Sequence, residues 1–170
     1  VLNALGDRFD RLPVLQHALM RTFDAWRAAG ATGPIDLVHF DTAGGLENAL
    51  DRDAERALVG LDAAAVEKVF KRLTDTDSNG RRIRSPARFS ELAAAAGIDR
   101  AKVEAIAARF EGEGRSFVHP APDGRPEDPR LDISHESLIR QWVRLRDWVD
   151  AERKARDSYL GLVERAARYS

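Results

Sequence analysis

Leu131-Asp132-Ile133-Ser134-His135-Glu136-Ser137-Leu138-Ile139-Arg140-Gln141-Trp142 is where the chain changes rhythm. Leu131 and Ile133 alternate with Asp132 and Ser134, the period-two pattern of a half-buried strand. Leu138, Trp142, Leu145 and Val149 then fall on one stripe at helical spacing, so a strand passes directly into an amphipathic helix. Ser134 has the chemistry of an N-cap, and the unpaired N–H groups and positive dipole end behind it favour an anion. His135 stands at that mouth with two readings open. It either satisfies local hydrogen bonds at a corner or donates a proton to a bound phosphate.

Working back towards the N-terminus, Ser116-Phe117-Val118-His119 reads as the strand that pairs with Leu131–Ser134. The Pro/Gly/Asp-rich stretch between them, residues 120–129, is expected to be a wing with a mobile tip. Ahead of it, Ser90 to Ala96 and Ala101 to Phe110 suggest two short helices separated by Gly97, and Val66, Val69, Phe70 and Leu73 mark another. Helix, extended piece, helix, helix and hairpin is the order of a winged helix-turn-helix. Asp75-x-Asp77-x-Asn79-Gly80 imitates the first half of a calcium loop, but its twelfth position is Pro86 where a bidentate glutamate is required. A capped surface turn is the expectation there, with no metal ligand set.

Residues 1–60 read as a small helical domain. Helix is expected from Leu2 and again from about Asp10, with Pro13 in a first turn where its missing N–H costs nothing. Leu15, Leu19, Phe23 and Trp26 outline one buried face, with His17 off that stripe at the surface or its boundary. Asp36 caps a short helix that Gly44-Gly45 breaks, and Leu46, Ala49, Leu50, Ala54, Ala57 and Leu58 outline the next. The division is therefore a helical domain over 1–60, a winged-helix domain over 61–134, and a C-terminal helix and linker over 135–170. The fold class is mainly α with a short β-hairpin wing and a long C-terminal helix.

Composition narrows the function. The chain has 170 residues, 32% of them charged, a net charge of −1 and no cysteine. Near-neutral charge argues against a molecule-wide nucleic-acid binder, and the lack of thiols removes disulfides and thiolate metal sites. No apolar run reaches the roughly 18–20 residues of a membrane span. A cytoplasmic setting and no membrane partner are the expectations, and Val1 in first position reads as a segment of a longer protein. Arg81, Arg82, Arg84 and Arg88 form one basic cluster, open to DNA phosphates, to an acidic neighbour or to solvent. The helix after Asp99 balances Arg100, Lys102 and Arg109 with Asp99, Glu104, Glu111 and Glu113, which weakens a DNA-reading role.

Leu12-Pro13-Val14-Leu15-Gln16-His17-Ala18-Leu19-Met20, Gly44-Gly45-Leu46, Arg84-Ser85-Pro86-Ala87-Arg88-Phe89-Ser90-Glu91-Leu92, Gly114-Arg115-Ser116-Phe117 and the 132–142 motif together resemble the helical and winged-helix region of bacterial STAND nucleoside triphosphatases, the group called novel STAND. Related switches include the apoptotic protease-activating factor and the immune receptors of plants and animals. The resemblance implies a regulatory, autoinhibitory module that closes over ADP held by an upstream P-loop NTPase domain of the same chain. It also implies a downstream repeat or effector region as partner, and oligomer formation on activation. Two positions carry over as nucleotide-binding. Pro13 matches the Gly-Leu-Pro-Leu-type proline that lies against adenine, and His135 matches the Met-His-Asp histidine that bonds the diphosphate. Arg11 stands in place of the motif glycine, and Ser134 and Glu136 in place of Met and Asp. No Gly-x-x-x-x-Gly-Lys-[Ser/Thr] loop occurs, so no residue here is assigned a catalytic role and ADP or ATP is expected only in the full-length protein. The rival readings are a DNA-binding winged-helix regulator and an interaction scaffold without nucleotide contact.

Overall fold

Trp142, where the strand-to-helix stretch ends, is fully buried at the middle of an aromatic cluster. Its ring lies 5.1 Å from Phe70, 5.4 Å from Phe110 and 5.5 Å from Trp148. A computed structural model of the chain describes residues 12–112, 114–121 and 123–167. The helical starts expected at Leu2 and Asp10, and Arg11, lie outside them.

The architecture is mainly helical with two small antiparallel sheets, compatible with a helical unit followed by a small winged region. Three helices come first: α1 (Leu12–Ala28), α2 (Leu37–Ala43) and α3 (Gly45–Leu58). Pro13 sits in the first turn of α1 as expected. Asp36 caps α2, with Leu37 N–H donating to its Oδ1 at 2.6 Å and Asp36 N–H donating to His39 Nδ1 at 3.0 Å. Gly44 then turns the chain at φ 106°, where a Cβ would meet the Ala49 nitrogen at 3.0 Å. Glycine is required at that position both for the backbone angle and for the space.

Next come α4 (Ala63–Arg72), β1 (Thr74–Thr76), β2 (Arg82–Arg84), β3 (Ala87–Arg88), α5 (Phe89–Ala96), α6 (Arg100–Glu111), β4 (Val118–Ala121) and β5 (Arg130–Ile133). The three-stranded sheet has the order β3-β5-β4, with Val118 opposite Ile133 and Ala87 opposite Leu131. The β1–β2 hairpin is an addition to the expected order. Asp77 closes its turn by accepting from Asn79 N–H and Arg81 N–H, each at 2.8 Å. The wing is tied down at its base: Asp123 pairs with Arg88 at 2.6 Å, and Asp128 accepts from Ser90 Oγ at 2.6 Å.

Two expectations fail for tertiary reasons. Ser134 is not an N-cap, because the chain stays irregular through His135 and α7 (Ser137–Gln141) begins only after Glu136. Ser134 Oγ instead meets His119 Nδ1 at 3.2 Å across the hairpin. The stripe Leu138, Trp142, Leu145 and Val149 is buried as read, but the helix breaks at Trp142 (ψ 103°) and restarts as α8 (Val143–Ala167). Asp51 of α3 takes the freed Val143 N–H at 2.9 Å, so a carboxylate from another helix compensates the break.

α1 is also turned from the expected face. Leu15 is buried, but Leu19 is 48% and Phe23 44% exposed, while His17, read as a surface or boundary residue, is only 6% exposed. The inward face comprises Val14, Leu15, His17, Ala18, Arg21 and Thr22. The reason is on α3, where Asp53 is 0% exposed and draws His17 and Arg21 inward. The continuous apolar core begins at Leu50 of α3 and runs to Val149 of α8, drawing on every helix from α3 onward.

Candidate functional site

A cleft of about 290 Å³ opens between α1, the segment 114–117 and the segment 134–138. Backbone hydrogen bonds make its second and third walls one piece. Ser116 N–H donates to the Glu111 carbonyl at 3.1 Å, Phe117 N–H to the Phe110 carbonyl at 3.0 Å, and Ser134 N–H to the Phe117 carbonyl at 3.0 Å. Gly114, at φ 72°, lies under Met20 of α1, where a Cβ would stand 3.1 Å from its Sδ. The wall from α1 supplies Pro13, His17 and Met20, and the opposite side supplies Phe117, Ser134, His135 and Ser137. Pro13 and His135, far apart in sequence, therefore line the same cleft. His135 is exposed at its rim, where a shallower depression continues past Arg84 and Arg140.

Beneath the cleft lies a charge cluster that the periodicity did not reveal. Asp53 Oδ2 is 3.3 Å from His17 Nε2 and 3.2 Å from Arg21 Nε, and its Oδ1 is 3.3 Å from Arg115 Nε. Burial alone pushes the Asp53 carboxyl up, but His17, Arg21 and Arg115 together outweigh it and hold the group below its ordinary value. One sequence signal was available: Asp53 interrupts the apolar face made by Leu50, Ala54 and Ala57.

The arginine cluster does not stay together. Arg82 pairs with Asp150 of α8, Arg84 bonds Asp132 at 2.8 Å and the Ile133 carbonyl at 3.0 Å, and Arg88 holds the wing through Asp123. Arg81 is exposed at the hairpin. On α6, Arg100 pairs with Glu104 at 2.7 Å and Lys102 lies 3.6 Å from Asp99. Arg82, Arg84 and Arg88 thus tie separate parts of the fold to one another, whereas the Arg100–Glu104 and Lys102–Asp99 pairs are local to α6 and its cap. Among the described residues no group of three or more His, Asp or Glu is placed to hold a metal ion, and no helix is long and apolar enough to cross a membrane.

Chemically, the cleft offers apolar surface from Pro13, Met20 and Phe117, the exposed imidazole of His135 at its rim, and the hydroxyls of half-buried Ser134 and buried Ser137 in its lining. That suits a flat ring carrying an anionic tail. α7 is only five residues long, too short for its N-terminus to serve as an anion site. A family model described as Novel STAND NTPase 1 matches residues 1–170. The chain belongs to the Novel STAND NTPase 1 family. No curated protein and no solved structure matches it. Membership in this STAND NTPase family implies a nucleotide in the context of the full-length protein.

Proposed function

We propose that this region is the nucleotide-sensing, autoinhibitory module of a STAND switch, closing over ADP held by an upstream P-loop domain. The supporting observation is the convergence of Pro13 and His135 on one cleft whose apolar walls and polar rim match the two ends of a nucleotide. The cradle that grips the phosphates is absent from this sequence, so hydrolysis belongs to another part of the intact protein. In this reading the winged region, with the effector beyond α8, is held off by one-sided contacts made only in the closed state. Such contacts shift an equilibrium because they discriminate between its two ends.

The test is His135→Ala in the full-length protein. A hydrogen bond to a charged phosphate is worth about 1.5–3 kcal/mol, so the variant should release ADP roughly ten- to a hundredfold faster and signal with less trigger. Lys102→Ala, on the exposed side of α6, is the control and should leave release unchanged. A folded His135→Ala protein with wild-type ADP release and full dependence on the trigger would refute the assignment.

A further inference from the structure

We propose that Asp53 is a positioning residue that clamps the two walls of the cleft, so that its charge sets whether the cleft stands closed. Its consequence for the nucleotide rests on the function proposed above. The clamp itself rests on geometry. Asp53 projects from α3 between the walls, with His17 and Arg21 reaching it from α1 and Arg115 from the 114–117 segment. Arg56, one turn along α3, stands at 3.9 Å, and Asp24 accompanies Arg21 at 3.1 Å. These charged and titratable groups stand around it.

Apolar contacts also join the same two walls. Met20 rests on Gly114, and the His17 ring lies 5.0 Å from that of Phe117. The continuous core starts only at Leu50, and no residue of α1 belongs to it. Val14, Leu15 and Ala18 of α1 are buried too, so the charges act on a helix that apolar side chains also seat. A buried ion cluster gives no more stability than a well-packed apolar one, but it fails abruptly when one partner is lost, because the remaining charges stay buried without compensation. Without the Asp53 carboxylate, Arg21 keeps Asp24, but it and Arg115 lose the buried anion that joins the two walls, and the readiest relief is for α1 to move outward so that water takes its place. The joint then has two states, closed with the charges paired and open with them hydrated.

Asp53→Asn in the full-length protein keeps the shape and removes the charge. Hydrogen exchange should accelerate about a hundredfold in α1 and in residues 114–121 while α5 and α6 keep their protection, and ADP should leave faster. Arg21→Gln, nearer the edge of the cluster, should move exchange in the same direction by less, and it decides the matter if Asp53→Asn does not fold. Wild-type exchange in α1 in a folded variant overturns the clamp. If His135→Ala speeds ADP release and Asp53→Asn does not, the clamp is overturned and the nucleotide reading stands. If Asp53→Asn loosens α1 while neither variant alters ADP release, the clamp stands and the nucleotide reading falls.

Discussion

Glu55 joins α3 to the break between α7 and α8, and replacing it tests how that break is held. Its Oε1 accepts from the Trp142 indole at 2.8 Å, and its two oxygens receive Arg144 Nε and Nη2, each at 2.8 Å. Trp142 is 0% exposed, so Glu55→Ala leaves a buried indole N–H without its acceptor, at about 1–3 kcal/mol. The Arg144 pair is half exposed and adds only about 0.2–1 kcal/mol. The expected loss is about 2 kcal/mol, read by urea unfolding with tryptophan fluorescence, or about 4–8 °C in Tm for a chain of this size. Glu55→Gln keeps an oxygen for the indole and should cost less than about 1 kcal/mol. The Arg144 hydrogen bonds, outweighing burial, hold the Glu55 carboxyl below its ordinary value of 4.5. A depressed carboxylate contributes fully above its unfolded pKa and loses the contribution as pH falls through its folded one. The gap between wild type and Glu55→Ala should therefore be constant from pH 7 to 5 and narrow in stronger acid by about the cost of Glu55→Gln, since the protonated carboxyl keeps an acceptor oxygen for the indole. A loss under about 0.5 kcal/mol, or Glu55→Gln as damaging as Glu55→Ala, would refute the reasoning.

Trp142→Ala should cost about 3–5 kcal/mol in the same unfolding assay, because it empties the centre of the ring cluster with Phe70, Phe110 and Trp148. Short duplex DNA should bind no better than a generic polyanion at physiological salt, since Arg82, Arg84 and Arg88 are engaged within the fold. A sequence-selective gel shift would contradict this.

The helices from α2 to α6 were legible because period and punctuation agree. Asp36 and Gly44 bracket α2, Gly97 separates α5 from α6, and Val66, Val69, Phe70 and Leu73 are buried as their spacing requires. The β1–β2 hairpin was not, since Thr74-Asp75-Thr76 shows no apolar alternation and pairs at the surface through its backbone. The break at Trp142 left no trace either. The step from Leu138 to Trp142 to Leu145 is that of an unbroken helix, no Gly or Pro marks the spot, and the compensating acceptor is Asp51, remote in sequence. His135 was singled out at the strand-to-helix junction, but its pairing with Pro13 came through the family resemblance, for period alone does not bring residues of two distant segments to one cleft.

α1 shows why periodicity misjudged a helix that it located correctly. A pattern reader assumes that the most apolar stripe faces in, yet what a helix buries depends on the surface offered to it, and α3 offers a buried carboxylate. Pro13, His17 and Arg21 lie four residues apart on one face, so the ion pairs to Asp53 also fix where Pro13 stands. Sliding α1 by one turn would carry Pro13 to the place of His17 and leave Asp53 with one donor fewer in a dry interior. A leucine-lined junction would tolerate that slip at little cost. Register is what these charges add that apolar residues would not, and the register they hold is the one that sets Pro13 in the cleft with His135.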